Sequence, residues 1–576
     1  MEVVAPNSAP PKVSGPVSGG RWLLPLIVLV VGMFATVLDT TIVNVAIPAI
    51  QKDLGSSSDD VEWVVTAYTL TLGIVVPLCG WLGDRIGLSR LYAVSLAAFA
   101  LTSALCGIAW DLESLVAFRI VQAIPGGILP VISLTMLYRI VPPAKIGSAM
   151  GLYGLGVVVA PAVGPTLGGW LIEHTTWPAI FFINLPIGLL GAAAALLIFP
   201  RIRPTGWPRF DFWGFVTIAY ALFAILLASS EGANWGWTGY PVLILFTSGA
   251  LSLALFVVIE LEVDTPLLDV RVFTSWVFTN ALLLVTVVSV GLNAVLFYLP
   301  QYMQAVLGLT ALNSGITLLP QAMTMAVTMP IAGKLYDLFG ARWLVVTGLV
   351  ISAYGMYLLT NLTPGTTRMD IMIWTSLRSI GVGLAMMPIM AAGLSALPPA
   401  STSAGSAWSN VGQRVAGSLG LAGLGALISS QQTQLMADRG ALLSSADGSS
   451  VPGLREIIDQ GTIGLYGLYQ QVQTQVLSVS YANVFLVTAA LSAAMVILAL
   501  MLPRGASSGV QEPPTPRPDV VATEPDRPTA DQGTQPSAAA ESSGAEVVGG
   551  EPAGTSDAER EIARAGNTRL SQVQQP

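Results

Sequence analysis

Between residues 22 and 502 the chain is a succession of apolar runs of about 20 residues, interrupted by short polar or Gly/Pro-containing stretches. A helix rises about 1.5 Å per residue, so each run can cross about 30 Å of hydrocarbon. The pattern predicts spans at 22–46, 62–82, 91–110, 114–138, 147–170, 178–199, 213–230, 241–260, 277–302, 314–334, 343–361, 369–393, 405–430 and 481–502. This is an all-α integral membrane bundle of about fourteen helices. Residues 1–20 and 504–576, rich in Pro, Ser and Gly and without periodicity, are expected to be disordered tails. The stretch 431–480 is longer and more polar than the other connections and is expected to form an external loop, partly helical.

Composition agrees. The 576 residues are 53% hydrophobic and 10% charged, where soluble proteins carry about a quarter charged residues. The net charge of −8 is mostly tail, because six bases and eleven acids lie from Arg504 onward. It therefore says little about partners of the membrane part.

The remaining charges set an orientation. With the N-terminus inside, Arg85, Arg90, Arg139, Lys145, Arg201, Arg203, Arg209, Arg271, Lys334 and Arg342 fall in cytoplasmic connections, against Lys52, Arg368, Arg439 and Arg455 outside. Cytoplasmic loops retain positive charge, so both termini are expected in the cytoplasm. The first apolar run is too long for a cleaved signal and is followed by many more spans.

Two segments far apart share one plan. Gly80-Trp81-Leu82-Gly83-Asp84-Arg85-Ile86-Gly87-Leu88-Ser89-Arg90 and Gly333-Lys334-Leu335-Tyr336-Asp337-Leu338-Phe339-Gly340-Ala341-Arg342 repeat the same glycine and aspartate spacing. Two spans after each comes a helix with an intramembrane arginine, Arg119 and then Arg378. Such repetition implies two related halves that can rock about a central site.

These segments are similar to the cytoplasmic signature of the major facilitator superfamily, and the resemblance extends over residues 22–502. Leu38-Asp39-Thr40-Thr41-Ile42-Val43-Asn44-Val45-Ala46-Ile47-Pro48 resembles the first-helix motif of its fourteen-helix drug:proton antiporters. Gly164-Pro165-Thr166-Leu167-Gly168-Gly169 resembles the antiporter motif, and Phe181-Phe182-Ile183-Asn184-Leu185-Pro186-Ile187-Gly188 and Pro266-Leu267-Leu268-Asp269 also look like that family. The fourth-helix motif departs from the usual pattern, reading Arg119-Ile120-Val121-Gln122-Ala123. The resemblance implies a bundle at 21–200, two extra helices at 201–265 and a second bundle at 266–503. It also implies proton-driven export of small amphipathic compounds such as drugs, dyes and antibiotics across the plasma membrane, with both termini cytoplasmic. The expected partners are the substrate, protons and the bilayer, with no nucleic acid and no cofactor, and the chain is expected to act as a monomer.

Asp39 is the one carboxylate well inside an apolar run, where an ionised Asp costs about 2.5–3.5 kcal/mol on insertion scales. It is the candidate proton-coupling group. Arg119 lies at a compatible depth and is its candidate partner, with Asn44 and Gln122 as further candidates. Gly80, Gly83, Asp84, Arg85, Gly87, Arg90, Asp337 and Arg342 form the candidate cytoplasmic gate. Gly156, Ala160, Gly164 and Gly168 recur every fourth residue, on one helix face; with Pro161, Pro165 and Gly169 they form the candidate hinge. Arg378 and Arg414 are two further intramembrane cations. A single mid-membrane acid makes monovalent cationic or neutral amphiphiles easier cargo than divalent cations.

Other chemistry lacks support. The sequence holds no P-loop, HExxH or paired-cysteine motif, Cys79 and Cys106 both sit in apolar runs, and His174 lies in a predicted turn. An enzyme is not expected. The alternatives are export of an endogenous lipid, siderophore or secondary metabolite, nutrient import, or a non-transporting receptor.

Overall fold

The computed structural model describes residues 22–200, 209–263, 265–445 and 461–503. The expectations for the two tails and for Arg201, Arg203 and Arg455 lie outside these residues. Every long apolar run becomes helix. The first half comprises α1 (Leu23–Leu54), α2 (Ser58–Val75), α3 (Leu78–Ile86), α4 (Leu88–Gly107), α5 (Leu112–Ile140), α6 (Ile146–His174), α7 (Ala179–Phe182) and α8 (Asn184–Ile198). Two helices follow, α9 (Phe212–Trp235) and α10 (Tyr240–Glu262). The second half comprises α11 (Trp276–Ala305), α12 (Ala311–Phe339), α13 (Ala341–Leu358), α14 (Arg368–Ser395), α15 (Thr402–Ser445) and α16 (Gly461–Ala499).

Thirteen helices among the described residues are long and apolar enough to span a membrane, and the bent pair α2 and α3 makes a fourteenth span. The 62° break in that pair falls at Val76 and Pro77. Proline has no N–H to continue the helical ladder and its ring crowds the carbonyl four residues back. The run 62–82 is therefore two helices, not the straight span its hydropathy predicts.

Residues 431–445 and 461–480 continue α15 and α16. Helices of 44 and 39 residues measure about 66 and 58 Å at 1.5 Å per residue, far beyond the roughly 30 Å of hydrocarbon. A hydropathy window registers only their apolar parts. Their polar extensions remain helical because residues such as Gln and Leu are good helix formers in or out of lipid.

The repeated segments fold alike. Gly87 ends α3 and starts α4 at φ 88°, and Gly340 ends α12 and starts α13 at φ 77°. Each lies three residues after its aspartate, and each N–H bonds back four residues at 2.9 Å, to Gly83 O and Tyr336 O. Positive φ is strained for any residue with a Cβ, so the two turns require glycine at the same place.

The halves meet along α6 and α12. A Cβ at Gly151 would lie 2.6 Å from Met329 O, and Gly147 approaches the backbone of Gly333 more closely still. Helix α15 packs against α11 of its own half and also against α5 and α9, while α9 in turn reaches α2. The two extra helices are thus unequal: α9 bridges the halves, and α10 packs chiefly on α9 with an apolar, exposed outer surface, as lipid contact requires.

Candidate functional site

Asp39 lies midway along α1 with no exposure to solvent. Its Oδ2 accepts from Arg119 Nη1 of α5 at 2.6 Å. Its Oδ1 accepts from Gln122 Nε2 and from Asn184 Nδ2, both at 2.9 Å. Arg119 and Gln122 are one turn apart on α5, so both side chains reach α1 together. Asn184 is the first residue of α8, and its amide also donates to Ser103 Oγ of α4 at 3.1 Å. One carboxylate thereby ties α1 to α5 and α8, and through Asn184 the link extends to α4.

The arginine is equally enclosed. It donates from Nη1 to Gln122 Oε1 at 2.8 Å and from Nε to Val64 O at 3.3 Å. Its guanidinium carbon stands 3.7 Å from the Tyr68 ring centroid, and Phe181 lies on another side at 5.7 Å. Cys106 Sγ adds a weak bond to Gln122 Oε1 at 3.4 Å. A charge pair out of water survives only with such geometry and with its remaining hydrogen-bonding capacity met. The arrangement brings Asp39, Arg119 and Gln122 together, while Asn44 is exposed and takes no part. Asn184, Tyr68 and Ser103 had no role assigned from the sequence. The available signal was an amide at the start of an apolar run inside the Phe181–Gly188 segment.

The second half lacks the acid. Arg378 on α14 is 1% exposed and reaches across to α11, as Arg119 reaches across to α1, but Nη2 ends on the Gly291 carbonyl at 2.9 Å. Among the described residues no carboxylate pairs with it. Arg414 of α15 makes no hydrogen bond or ion pair there, and its Nε is buried.

The gate residues separate into two structures. Asp337 accepts from the backbone N–H of Gly147 at 2.8 Å, and from the N–H and hydroxyl of Ser148 at 2.9 and 2.6 Å. Helix α6 has no side-chain cap of its own, so an acid from the other half satisfies amides left open in its first turn. Asp84 occupies the corresponding place beside the start of α15. There it lines a cavity of about 140 Å³ with Gly80, Trp81, Arg209, Ser401 and Ser403. Arg85 packs its guanidinium over Trp81 at 4.9 Å, Arg90 is exposed, and Arg342 Nε donates to Leu502 O at 2.5 Å beyond the end of α16. Gly83 is buried, and a Cβ there would lie 2.8 Å from the Leu88 side chain.

The candidate hinge lies on α6, with Pro161 and Pro165 inside the helix. Gly156, Gly164 and Gly168 abut α1 at Val30, Thr41 and Ile42, within the first half, while Gly169 has open space around it. The same helix meets the second half through Gly147, Gly151 and Gly154 instead.

Two further buried acids, Glu231 and Glu260, were not singled out from the sequence. Glu260, at the end of α10 and 1% exposed, accepts from the N–H groups of Leu267 and Leu268 at 3.1 and 3.0 Å. It pins the Pro266-Leu267-Leu268-Asp269 segment that borders the Asp84 cavity.

Comparison with known proteins agrees with this architecture. The model of the Major Facilitator Superfamily matches residues 29–421. The uncharacterized MFS-type transporter YhcA of Bacillus subtilis (strain 168) is 35% identical over 458 residues, covering 80% of this chain and 86% of that protein. The multidrug resistance protein B homolog of Mycobacterium tuberculosis (strain ATCC 25618 / H37Rv) is 32% identical over 483 residues, covering 83% and 89%. Among solved structures, the proton:xylose symporter XylE superposes with a TM-score of 0.51 over 82% of this chain and 94% of its own, at 14% identity, a likeness of fold alone. Two halves built on one repeated turn, an ion pair buried among the first-half helices and a family match across most of the chain converge, and this chain belongs to the Major Facilitator Superfamily as a multi-pass membrane transporter.

Proposed function

We propose that this transporter exports small amphipathic compounds, drugs among them, from the cytoplasm in exchange for protons. The observation that carries the reading is the fully buried Asp39–Arg119 pair, with the other carboxylate oxygen held by two amides. Relatives such as the multidrug resistance protein B homolog support the export of drugs. The excess of Lys and Arg on one side supports a cytoplasmic location for both termini, and export from the cytoplasm implies insertion in the plasma membrane.

In this reading a proton arriving at Asp39 removes the charge that holds Arg119, and the α1–α5 contact loosens. The change reaches the gate through α6, which packs on α1 along Gly156, Gly164 and Gly168 and on α12 along Gly147 and Gly151. The Asp337 cap on α6 then opens or closes one end of the path. Alternating access needs two packings of this kind, each favoured by one protonation state.

The test is uptake of a fluorescent amphiphile into inside-out vesicles under an imposed pH gradient, wild type against Asp39→Asn. Gradient-driven uptake lost in the variant supports proton exchange at Asp39. Uptake that survives in Asp39→Asn, with unchanged dependence on the gradient, removes Asp39 from the coupling step.

A further inference from the structure

The charges in the middle of the spans are unbalanced. Among the described residues one carboxylate, Asp39, stands against three guanidiniums, Arg119, Arg378 and Arg414. Asp39 already accepts from Arg119, Gln122 and Asn184, three of its roughly four acceptor positions, and is fully buried, so little of it is left for a cationic cargo. Arg378 is enclosed in the second half and bonded to Gly291 O. Arg414 remains, an intramembrane cation making no hydrogen bond to the described protein. Such a group is costly in a span and marks a functional position.

Its direction follows from helical geometry. Ser403, Ala407, Asn410 and Arg414 recur at spacings of four, seven and eleven residues and so share one face of α15. Ser403 and Ala407 on that face line the cavity shared with Gly80 and Asp84 of the first half. Arg414 therefore faces the interface between halves, and its neighbour Val415 packs against the cluster of Leu70, Leu226 and Leu227, which sets it beside α2, the helix that carries Tyr68. Tyr68 has no solvent exposure, and its Oη has no hydrogen-bond partner among the described residues. The neighbouring amides do not satisfy Arg414, since Asn410 donates to Ser406 O at 2.9 Å and Gln413 to Ser409 O at 3.1 Å.

Guanidinium and phenol are both donors, and a guanidinium cannot accept. The complementary ligand is an oxygen acceptor, best an anionic one, because a charge-assisted bond is roughly twice as strong as a neutral one. We propose that Arg414 and Tyr68 form a polar anchor between the halves that binds a carboxylate or phenolate oxygen of the cargo, so that the preferred cargo is an acidic amphiphile, not a cation. This rests on the export reading and specifies its substrate class. It departs from the cationic or neutral cargo that Asp39 suggests in the sequence, where the neutralising partners cannot be seen.

Two dyes with one xanthene frame test it: fluorescein, an anion, and rhodamine 123, a cation. Binding to purified full-length protein in detergent is followed by fluorescence anisotropy, with thermal melting as a check on folding. Wild type binds fluorescein more tightly than rhodamine 123. Arg414→Gln weakens fluorescein by about tenfold or more, as loss of a charged hydrogen bond implies. Arg414→Lys loses less, Tyr68→Phe weakens it several-fold, and rhodamine 123 binding does not fall in Arg414→Gln. Should Arg414→Gln be unstable, Arg414→Lys and Tyr68→Phe carry the comparison. Fluorescein binding unchanged in folded variants, a wild-type preference for rhodamine 123, or binding of neither dye overturns the anchor. Vesicle uptake separates the two readings. Fluorescein binding that depends on Arg414 without gradient-driven uptake of either dye sinks export and spares the anchor. Uptake of rhodamine 123 with no fluorescein binding does the reverse.

Discussion

Asp337, near the end of α12 in the second half, holds Ser148, in the first turn of α6 in the first half, by two bonds: the backbone N–H at 2.9 Å and the hydroxyl at 2.6 Å, both to Oδ2. A helix start that lacks its own cap is thereby completed from across the interface. Hydrogen bonds to a charged group contribute about 1.5–3 kcal/mol each. Asp337→Ala is expected to open this end, and a cysteine placed at Ser148 in that background should react with maleimide at least about tenfold faster than in the parent. Equal rates would mean that the cap does not hold the halves together.

The same interface limits side-chain size. A Cβ at Gly151 would fall 2.6 Å from Met329 O and 2.8 Å from Pro330 Cα, both backbone atoms that cannot rotate away. Gly151→Val should therefore keep the halves apart at this end and abolish transport while leaving a folded protein. Transport at the wild-type rate would show that α6 and α12 never close to the observed distance during the cycle.

Removing either member of the Asp39–Arg119 pair strands the other. Asp39→Ala and Arg119→Ala should each lose about 3–5 kcal/mol, read from unfolding in detergent. The pair replaced together by Asp39→Leu and Arg119→Met should recover much of that loss, because no charge is left without a partner. If the double variant is as unstable as the sum of the singles, the pair is not coupled in the way the 2.6 Å contact indicates.

At the start of α5, about two turns before Arg119, Asp111 caps the helix: the Ser114 N–H donates to its Oδ1 at 2.7 Å, and the Asp111 N–H donates to Ser114 Oγ at 3.2 Å. The Ser114 amide bond, foremost, holds its carboxyl below the ordinary range. A depressed folded-state pKa gives stability that is present above the unfolded value, about 3.9, and lost as pH falls through the folded one. Hydrogen exchange at Ser114, corrected for its intrinsic rate, should lose protection below roughly pH 4. Asp111→Asn should flatten that dependence; a wild type without any such loss would contradict it.

Much of the architecture is legible in the chain. Every apolar run became a helix, since a backbone in hydrocarbon must satisfy its own hydrogen bonds. The glycine and aspartate repeat marked both turns, because Gly87 and Gly340 need a conformation that other residues resist. The bend at Pro77 and the lengths of α15 and α16 were not captured. Hydropathy averages over a window and registers neither a broken ladder nor a helix that continues after its apolar part ends.

Residue types and spacing alone determined the class of protein, the two halves and the positions of the intramembrane charges. What those charges do was set by the packing of the helices, because partner choice depends on distances between helices far apart in sequence. Asp39 and Asn184 are 145 residues apart yet share a hydrogen bond, Asp337 crosses 189 residues to Ser148, and Arg378 meets a carbonyl where Arg119 meets a carboxylate. A charge reads the same in a sequence whether neutralised or bare, and folding leaves Asp39 with three donors and Arg414 with its buried Nε unbonded among the described residues.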